Sequence, residues 1–308
     1  MRVFSKITDL TKIYPNIVVA LGTFDGVHIG HQSIIRQAIG LAKSIQGISV
    51  IFTFSNHPLS IITPDKAPLQ INDVFCKERD MEQLGVDVLV NVPFTKELLK
   101  VSPLDFLKLL KDNFSPKYIV VGPNYSFGYK GEGTPKFLLQ KGREYGFNVE
   151  IHPVVHWKQH FISSTKIRQL IEAGHLSLAN ELLGKPFMIC SKVIHGDERG
   201  RIIGFPTANL AIGIERVMLP DGVYAAKVLL EKKEYSAVAN IGTNPTFEGC
   251  YRRIEVHIID FNHDIYDEFL YVKFLMKIRE EKKFLSLNTL IEQIDNDIVQ
   301  TKKYFNLH

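Results

Sequence analysis

Apolar runs of strand length recur through the first half of the chain, and each is followed by a stretch in which apolar residues return every three or four positions. Ile17–Leu21, Ser49–Phe54, Val86–Val92, Tyr118–Val121 and Val149–Ile151 carry the strand pattern, and residues 30–46, 73–84, 102–112 and 135–145 the helical one. Near-continuous apolar strands are covered on both faces, and their alternation with helices predicts a doubly wound parallel sheet. In such sheets ligands bind beyond the carboxyl ends of the strands, where the strand order reverses.

The pattern changes after Ser163. Two short helices are predicted over 165–173 and 177–183, stopped at Gly184 with Pro186 just beyond. β-rich segments then follow at Phe187–Ile194, Gly222–Leu230, Glu234–Ile241, Arg253–Asp260 and Phe269–Leu275, separated by Gly, Pro, Asn and Asp with no helical stretch between them. These predict an antiparallel β-barrel, and the amphipathic stretch Leu287–Val299 predicts a C-terminal helix packed on it. The expected fold class is therefore α/β plus β, with two domains over residues 1–184 and 185–308 of the 308.

Composition adds little to this picture. Hydrophobic residues at 45% and charged residues at 23% are ordinary for a globular protein. There is no apolar run of the roughly 18 residues that span a bilayer and no signal-peptide pattern at the start, so a cytoplasmic location is expected. Cys76, Cys190 and Cys250 are far apart and lack zinc spacing, which suits a reducing compartment. A net charge of +4, with Lys and Arg scattered, favours small anionic ligands; neither a nucleic-acid nor a membrane partner is expected, and self-association stays open.

The first candidate for chemistry is Gly22-Thr-Phe-Asp-Gly-Val-His-Ile-Gly-His31, which follows the first strand and opens a helix. Glycines 22, 26 and 30 allow close backbone approach to a ligand. His28 and His31 stand at the helix N-terminus, where unpaired N–H groups and partial positive charge attract phosphate. No G-x-x-x-x-G-K-[ST] string is present, so a Walker-type phosphate loop is excluded. Further on, Ser163, Ser164 and Thr165 have the chemistry of helix caps, and Arg168 one turn later can reach a phosphate.

In the second half, Pro206-Thr-Ala-Asn209 places the Thr207 hydroxyl and the Asn209 amide oxygen on one face of an extended backbone. Both are hard oxygen donors of the kind Mg²⁺ accepts beside phosphate oxygens and water. In Arg253-Ile-Glu-Val-His-Ile-Ile-Asp-Phe261, Ile254, Val256 and Ile258 alternate with Arg253, Glu255 and His257, so one face is core and the other polar.

The opening string G-x-F-D-G-x-H-x-G-H resembles the signature of the prokaryotic bifunctional riboflavin kinase and FAD synthetase family, whose first domain is a Rossmann-like nucleotidyltransferase. Asn56-His57-Pro58, Gly122-Pro-Asn-Tyr-Ser-Phe-Gly128 and Ser163-Ser-Thr-Lys-Ile-Arg168 resemble further family motifs in order and distance. So do Pro206-Thr-Ala-Asn209, Asn240-Ile-Gly-Thr-Asn-Pro-Thr-Phe247 and Lys277-Ile-Arg-Glu-Glu-Lys-Lys-Phe284.

The resemblance implies an FMN adenylyltransferase in which Gly22, Phe24, Asp25, Gly26, His28, Gly30, His31, Ser163, Ser164, Thr165 and Arg168 bind ATP. In the same domain His57, Pro58, Asn124 and Tyr125 would bind the flavin. It further implies a riboflavin kinase in which Gly196, Gly200, Gly204, Pro206, Thr207 and Asn209 serve ATP, with Mg²⁺ on Thr207 and Asn209. There Glu255 would be the general base, and Arg279 and Phe284 would cover the isoalloxazine, the Arg facing a phosphate and the Phe stacking. Substrates and products would be ATP, riboflavin, FMN and FAD. Two alternatives stand beside this: only one module is active, or the scaffold serves a flavin-sensing regulator.

Overall fold

The structure is a computed structural model that describes residues 1–158, 160–196, 200, 203–246 and 249–307. Asp197, Glu198, Arg199, Arg201 and Ile202 of the glycine-rich string, and Phe247, lie outside the described residues. The chain forms two compact units, one of Met1–Gln70 with Lys77–Ser164 and one of Ile71–Cys76 with Thr165–His308.

The first unit is built on a six-stranded, wholly parallel sheet in the order β1-β4-β3-β2-β5-β6. Its strands are β1 (Arg2–Phe4), β2 (Ile17–Leu21), β3 (Ile48–Phe54), β4 (Val88–Val92), β5 (Tyr118–Val121) and β6 (Asn148–Ile151), and a separate antiparallel pair, β7 (His156–Trp157) and β8 (His160–Phe161), follows in the chain. In β2 every residue is buried because alternate side chains enter different cores. Val19 and Leu21 join Phe52, Phe106, Leu110 and Phe114 on one face, while Val18 and Ala20 join Ile35, Ala38, Ile51 and Met81 on the other.

Helices α1 (Ile29–Ser44), α2 (Val74–Gln83), α3 (Pro103–Phe114) and α4 (Pro135–Tyr145) lie where the periodicity predicts them. Ser102 and Thr134 cap α3 and α4, accepting from the backbone N–H of Asp105 and Phe137, and each helix carries Pro at its first position. From β2 the chain proceeds outward through β3 to β4, then returns to the other side of β2 as β5. The strand order thus reverses between β2 and β5, and the segments that follow these two strands face one crevice.

The second unit is a closed antiparallel barrel in the order β10-β13-β12-β11-β14-β9. It comprises β9 (Phe187–Ile194), β10 (Ala208–Ala211), β11 (Gly222–Leu230), β12 (Lys233–Thr246), β13 (Gly249–Ile258) and β14 (Phe269–Arg279), closed by pairing of β9 with β10. Tyr224, Ile254, Val256 and Phe274 are fully buried. Helices α5 (Ser164–Glu172) and α6 (Leu176–Leu183) precede the barrel, and α7 (Leu287–Tyr304) follows it.

Residues 165–184 group with the barrel, although their helical pattern continues that of the first half. The Asn180 amide accounts for part of this: it donates to the Phe274 carbonyl at 3.0 Å and accepts from the Phe187 N–H at 2.6 Å. Segment Ile71–Cys76 also belongs to this unit. Arg216 anchors it through the Asp73 carboxylate and the Ile71 carbonyl, and bonds the Met188 carbonyl of β9 as well.

Candidate active sites

In the first unit, the turn after β2 and the loop after β5 enclose a cavity of about 840 Å³ at the reversal point. His28 is the N-cap of α1, and its Nδ1 accepts from the His31 N–H at 3.2 Å. That bond assigns the proton of a neutral His28 ring to Nε2. The two imidazoles stack with centroids 3.6 Å apart and 16° between planes, and both line the cavity. Two imidazoles therefore meet at a helix N-terminus, whose partial positive charge favours an anionic phosphate.

The glycines of this turn serve the chain's own rings as much as a ligand. A Cβ on Gly22 would lie 2.9 Å from Cζ of Phe24, and one on Gly30 would lie 3.2 Å from Cε1 of His28. Phe24 is fully buried and meets His31 edge-on at 5.4 Å, so it fixes the imidazole pair from below.

On the β3 side, Asn56 exchanges two hydrogen bonds with the Phe94 backbone at 3.1 and 2.7 Å, and His57 Nδ1 accepts from the Leu59 N–H at 3.1 Å. His57 and Pro58 line the same cavity, as do Asn124 and Tyr125 from the loop after β5. Tyr125 stacks on Phe127 at 5.7 Å, and burial raises its hydroxyl pKa, so the phenol stays protonated. Ser163 and Ser164 complete this wall. Ser164 does not cap its helix through its hydroxyl; the Oγ donates 2.9 Å to the Asp25 carbonyl in the turn after β2. Thr165 and Arg168 belong to the second unit, where Arg168 is a buried residue of α5.

Sequence reasoning missed Lys77. Its ammonium is buried and donates to the Phe54 carbonyl at 2.7 Å and the Thr23 carbonyl at 3.1 Å, the latter shared with the Thr53 hydroxyl at 2.9 Å. It pins the chain segments leaving β2 and β3. Desolvation lowers its pKa from 10.5 to about 8, opposed by the Asp25 carboxylate. Between those values the unfolded chain binds the proton more tightly, so stability rises with pH across this window. The gap between wild type and Lys77→Met should therefore move in the wild type's favour by on the order of 3 kcal/mol between pH 7.5 and 10.5. Denaturant midpoints of both proteins at the two pH values check this.

In the barrel, register places Asn209 of β10 directly opposite Glu255 of β13, with Asn240 of β12 on Glu255's other side. Ile254, Val256 and Ile258 point into the core, so Arg253, Glu255 and His257 face outward into a cavity of about 500 Å³ shared with Thr207, Asn209 and Phe284. A second cavity of about 480 Å³ lies on the other side of Thr207 and Asn209, walled by Gly204, Pro206 and the loop Phe261–Tyr266. That loop was not singled out in the sequence, which offered no motif there.

Gly196 and Gly200 pack onto this polar pair. A Cβ on Gly196 would lie 2.1 Å from Nδ2 of Asn209, and one on Gly200 would lie 3.3 Å from Oγ1 of Thr207. Among the described residues no cluster of three His, Cys, Asp or Glu side chains could hold a metal. The hydroxyl and amide oxygens of Thr207 and Asn209 fit only a hard cation that keeps its other positions for phosphate and water, as Mg²⁺ does.

Arg279 lines the cavity of about 500 Å³ and is also held within the protein. Its Nε and Nη2 bond the carboxylate of Asp297 at 2.8–3.0 Å, and Nη1 donates to the Glu280 carbonyl at 3.0 Å. Through this carboxylate, 3% exposed, Arg279 ties β14 to α7. It does sit 5.7 Å from the Phe284 ring, which it steadies against the cavity.

Two family models match the chain: FAD synthetase over residues 10–166 and riboflavin kinase over residues 183–305. The bifunctional riboflavin kinase/FMN adenylyltransferase of Escherichia coli K12 is 37% identical over 295 residues, covering 94% of this chain and 93% of its own. Its namesakes from Buchnera aphidicola subsp. Schizaphis graminum and Bacillus subtilis are 34% and 36% identical, covering 100% and 94% of this chain and 100% and 92% of their own. A crystal structure of a macrolide-efflux protein from Streptococcus pneumoniae superposes with a TM-score of 0.84 at 35% identity, over 98% of this chain and 99% of that one. Among the described residues no helix is long and apolar enough to cross a membrane. On full-length identity and on both domain models, the chain belongs to the bifunctional riboflavin kinase/FMN adenylyltransferase family.

Proposed function

We propose that the barrel phosphorylates riboflavin to FMN and that the α/β unit adenylylates FMN to FAD, each with ATP. The observation that carries this reading is that one chain holds two sites with different equipment. One pairs a carboxylate with an amide oxygen across adjacent strands, and the other stacks two imidazoles at a helix N-terminus with no carboxylate among the described residues that line its cavity.

The two reactions differ in what they ask of the protein. The ribityl 5′-hydroxyl is protonated at neutral pH, so its attack on the γ-phosphorus needs an acceptor for the proton, and Glu255 takes that role. The oxygen forms a bond to phosphorus, the bond to the β–γ bridging oxygen breaks, and ADP leaves. Thr207 and Asn209 would hold Mg²⁺, which when bound neutralises charge on the ATP phosphates. Riboflavin occupies the 500 Å³ cavity beside Glu255 and Phe284, and ATP the 480 Å³ cavity across Thr207 and Asn209.

In adenylylation the nucleophile is a phosphate monoester with a second pKa of about 6, already ionised at neutral pH. No base is needed. The protein has only to align the FMN phosphate with the α-phosphorus and stabilise the charge that develops on pyrophosphate, which His28 and His31 do with ring donors. Ser163 and Ser164 border the same site, and Thr165 and Arg168 follow on α5 as further phosphate contacts. His57, Pro58, Asn124 and Tyr125 hold the flavin. As reduced thiols, Cys76 and Cys190 suit the cytoplasm.

Incubating the protein with riboflavin, ATP and Mg²⁺ should give FMN and then FAD, resolved by chromatography. Absence of both products, with the protein folded and metal and reductant varied, would sink the enzyme reading.

A further inference from the structure

We propose that Arg253 is a further catalytic residue of the kinase reaction, its guanidinium binding the terminal phosphoryl group of ATP as that group passes to the ribityl oxygen. The proposal rests on the kinase reading of Thr207, Asn209 and Glu255. Phosphoryl transfer spreads negative charge over three equatorial oxygens, and cations fixed beside them are its main protein contribution.

Among the described residues, the cationic side chains lining the 500 Å³ cavity are Arg253, Arg279 and Lys282, with His257 beside them. Arg279 is committed to Asp297, and the Lys282 ammonium bonds Gln293 and lies 5.5 Å from the Phe284 ring. Neither touches the Asn209–Glu255 pair. Arg253 does: its Nε donates to Asn209 Oδ1 at 2.7 Å and stands 3.4 Å from Glu255 Oε1.

That position decides the role. The incoming hydroxyl must meet Glu255, and the ATP phosphates must meet Thr207 and Asn209, so the group in transit lies between them. The guanidinium is already there. A guanidinium carries five donors in a planar fork that matches phosphoryl oxygens. A Cβ on Gly196 would lie 2.2 Å from Nη2 of Arg253, so the backbone of Gly196 covers the guanidinium directly. Such cover removes water and strengthens the charge interaction beneath it. With the nucleotide bound, the Asn209 amide oxygen exchanges its bond from Arg253 for the phosphate-bound cation.

The test uses full-length Arg253→Gln and Arg253→Lys. For the Gln variant, kcat for FMN formation should fall about 10²–10³-fold with KM for riboflavin changed by less than about threefold, and Lys should recover about a tenth or more of the loss. FAD formation from supplied FMN and riboflavin binding, read by flavin fluorescence, report that both units are folded. In equilibrium titrations, a β,γ-imido ATP analogue should lose about tenfold or more in affinity at the kinase site while ADP changes by less than about threefold. The adenylylation site contributes equally to every titration.

A Gln variant with kcat within about threefold of wild type, or equal weakening of ADP and the analogue, overturns the proposal. Should the Gln variant fail to fold, the Lys variant decides by the same analogue-to-ADP comparison. Failure of the underlying kinase reading looks different: Glu255→Gln and Asn209→Ala would then phosphorylate riboflavin at the wild-type rate.

Discussion

Glu255→Gln should lower riboflavin phosphorylation by about 10²–10⁴-fold and leave FAD formation from supplied FMN unchanged. The side chain is on β13, its carboxylate facing the cavity, while its neighbours Ile254 and Val256 are fully buried. Gln keeps the shape, and keeps an oxygen for the Arg253 Nε at 3.4 Å, but cannot accept the hydroxyl proton. Because the backbone partners Asn209 and Asn240 are untouched, the barrel should unfold at the same temperature as the wild type. A selective loss of kcat, with KM for riboflavin nearly constant, would mark an interaction made only in the transition state.

His31→Ala should have the opposite selectivity, lowering FAD formation from FMN by about 10²–10³-fold while FMN formation continues. Removing His31 takes away one ring of a stack with 3.6 Å between centroids and one edge contact to Phe24. The backbone bond from the residue 31 N–H to His28 Nδ1 survives, because it does not involve the deleted side chain. Helix α1 therefore keeps its cap, and the loss reports the imidazole itself. Rapid-quench measurement of pyrophosphate release with supplied FMN separates this chemical effect from product release.

Much of this arrangement is legible in the sequence, and the exceptions share physical causes. Strands such as Ile17–Leu21 announce themselves because both faces are buried. Arg2–Phe4 does not, since two of its three residues are exposed and its pairing comes from the neighbouring strand β4. Ala208–Ala211 is too short to show a period, yet it carries Asn209 and closes the barrel.

The site residues divide in the same way. His28, His31, Thr207, Asn209 and Glu255 stand in recognisable strings, and the fold gathers each set around a cavity. Lys77 lies in Cys-Lys-Glu-Arg-Asp, which in one dimension looks like a solvated helix face; only its two carbonyl partners, 23 and 54 residues away, explain its burial. The tie from Arg279 is hidden for the converse reason, because its partner Asp297 lies on a helix 18 residues further along. Long-range polar pairing leaves no local pattern, and neither does the register that brings Arg253 beside Asn209 across 44 residues.

The central claim is that one chain holds two separate active sites, and a mixing experiment tests it most directly. Glu255→Gln and His31→Ala are each supplied with riboflavin, ATP and Mg²⁺, separately and then together. Alone, the first should make neither flavin nucleotide and the second should stop at FMN; mixed, they should make FAD after a lag while FMN accumulates. If either folded variant had lost both reactions, or if the mixture made FMN but no FAD, the division of labour between the barrel and the α/β unit would be contradicted.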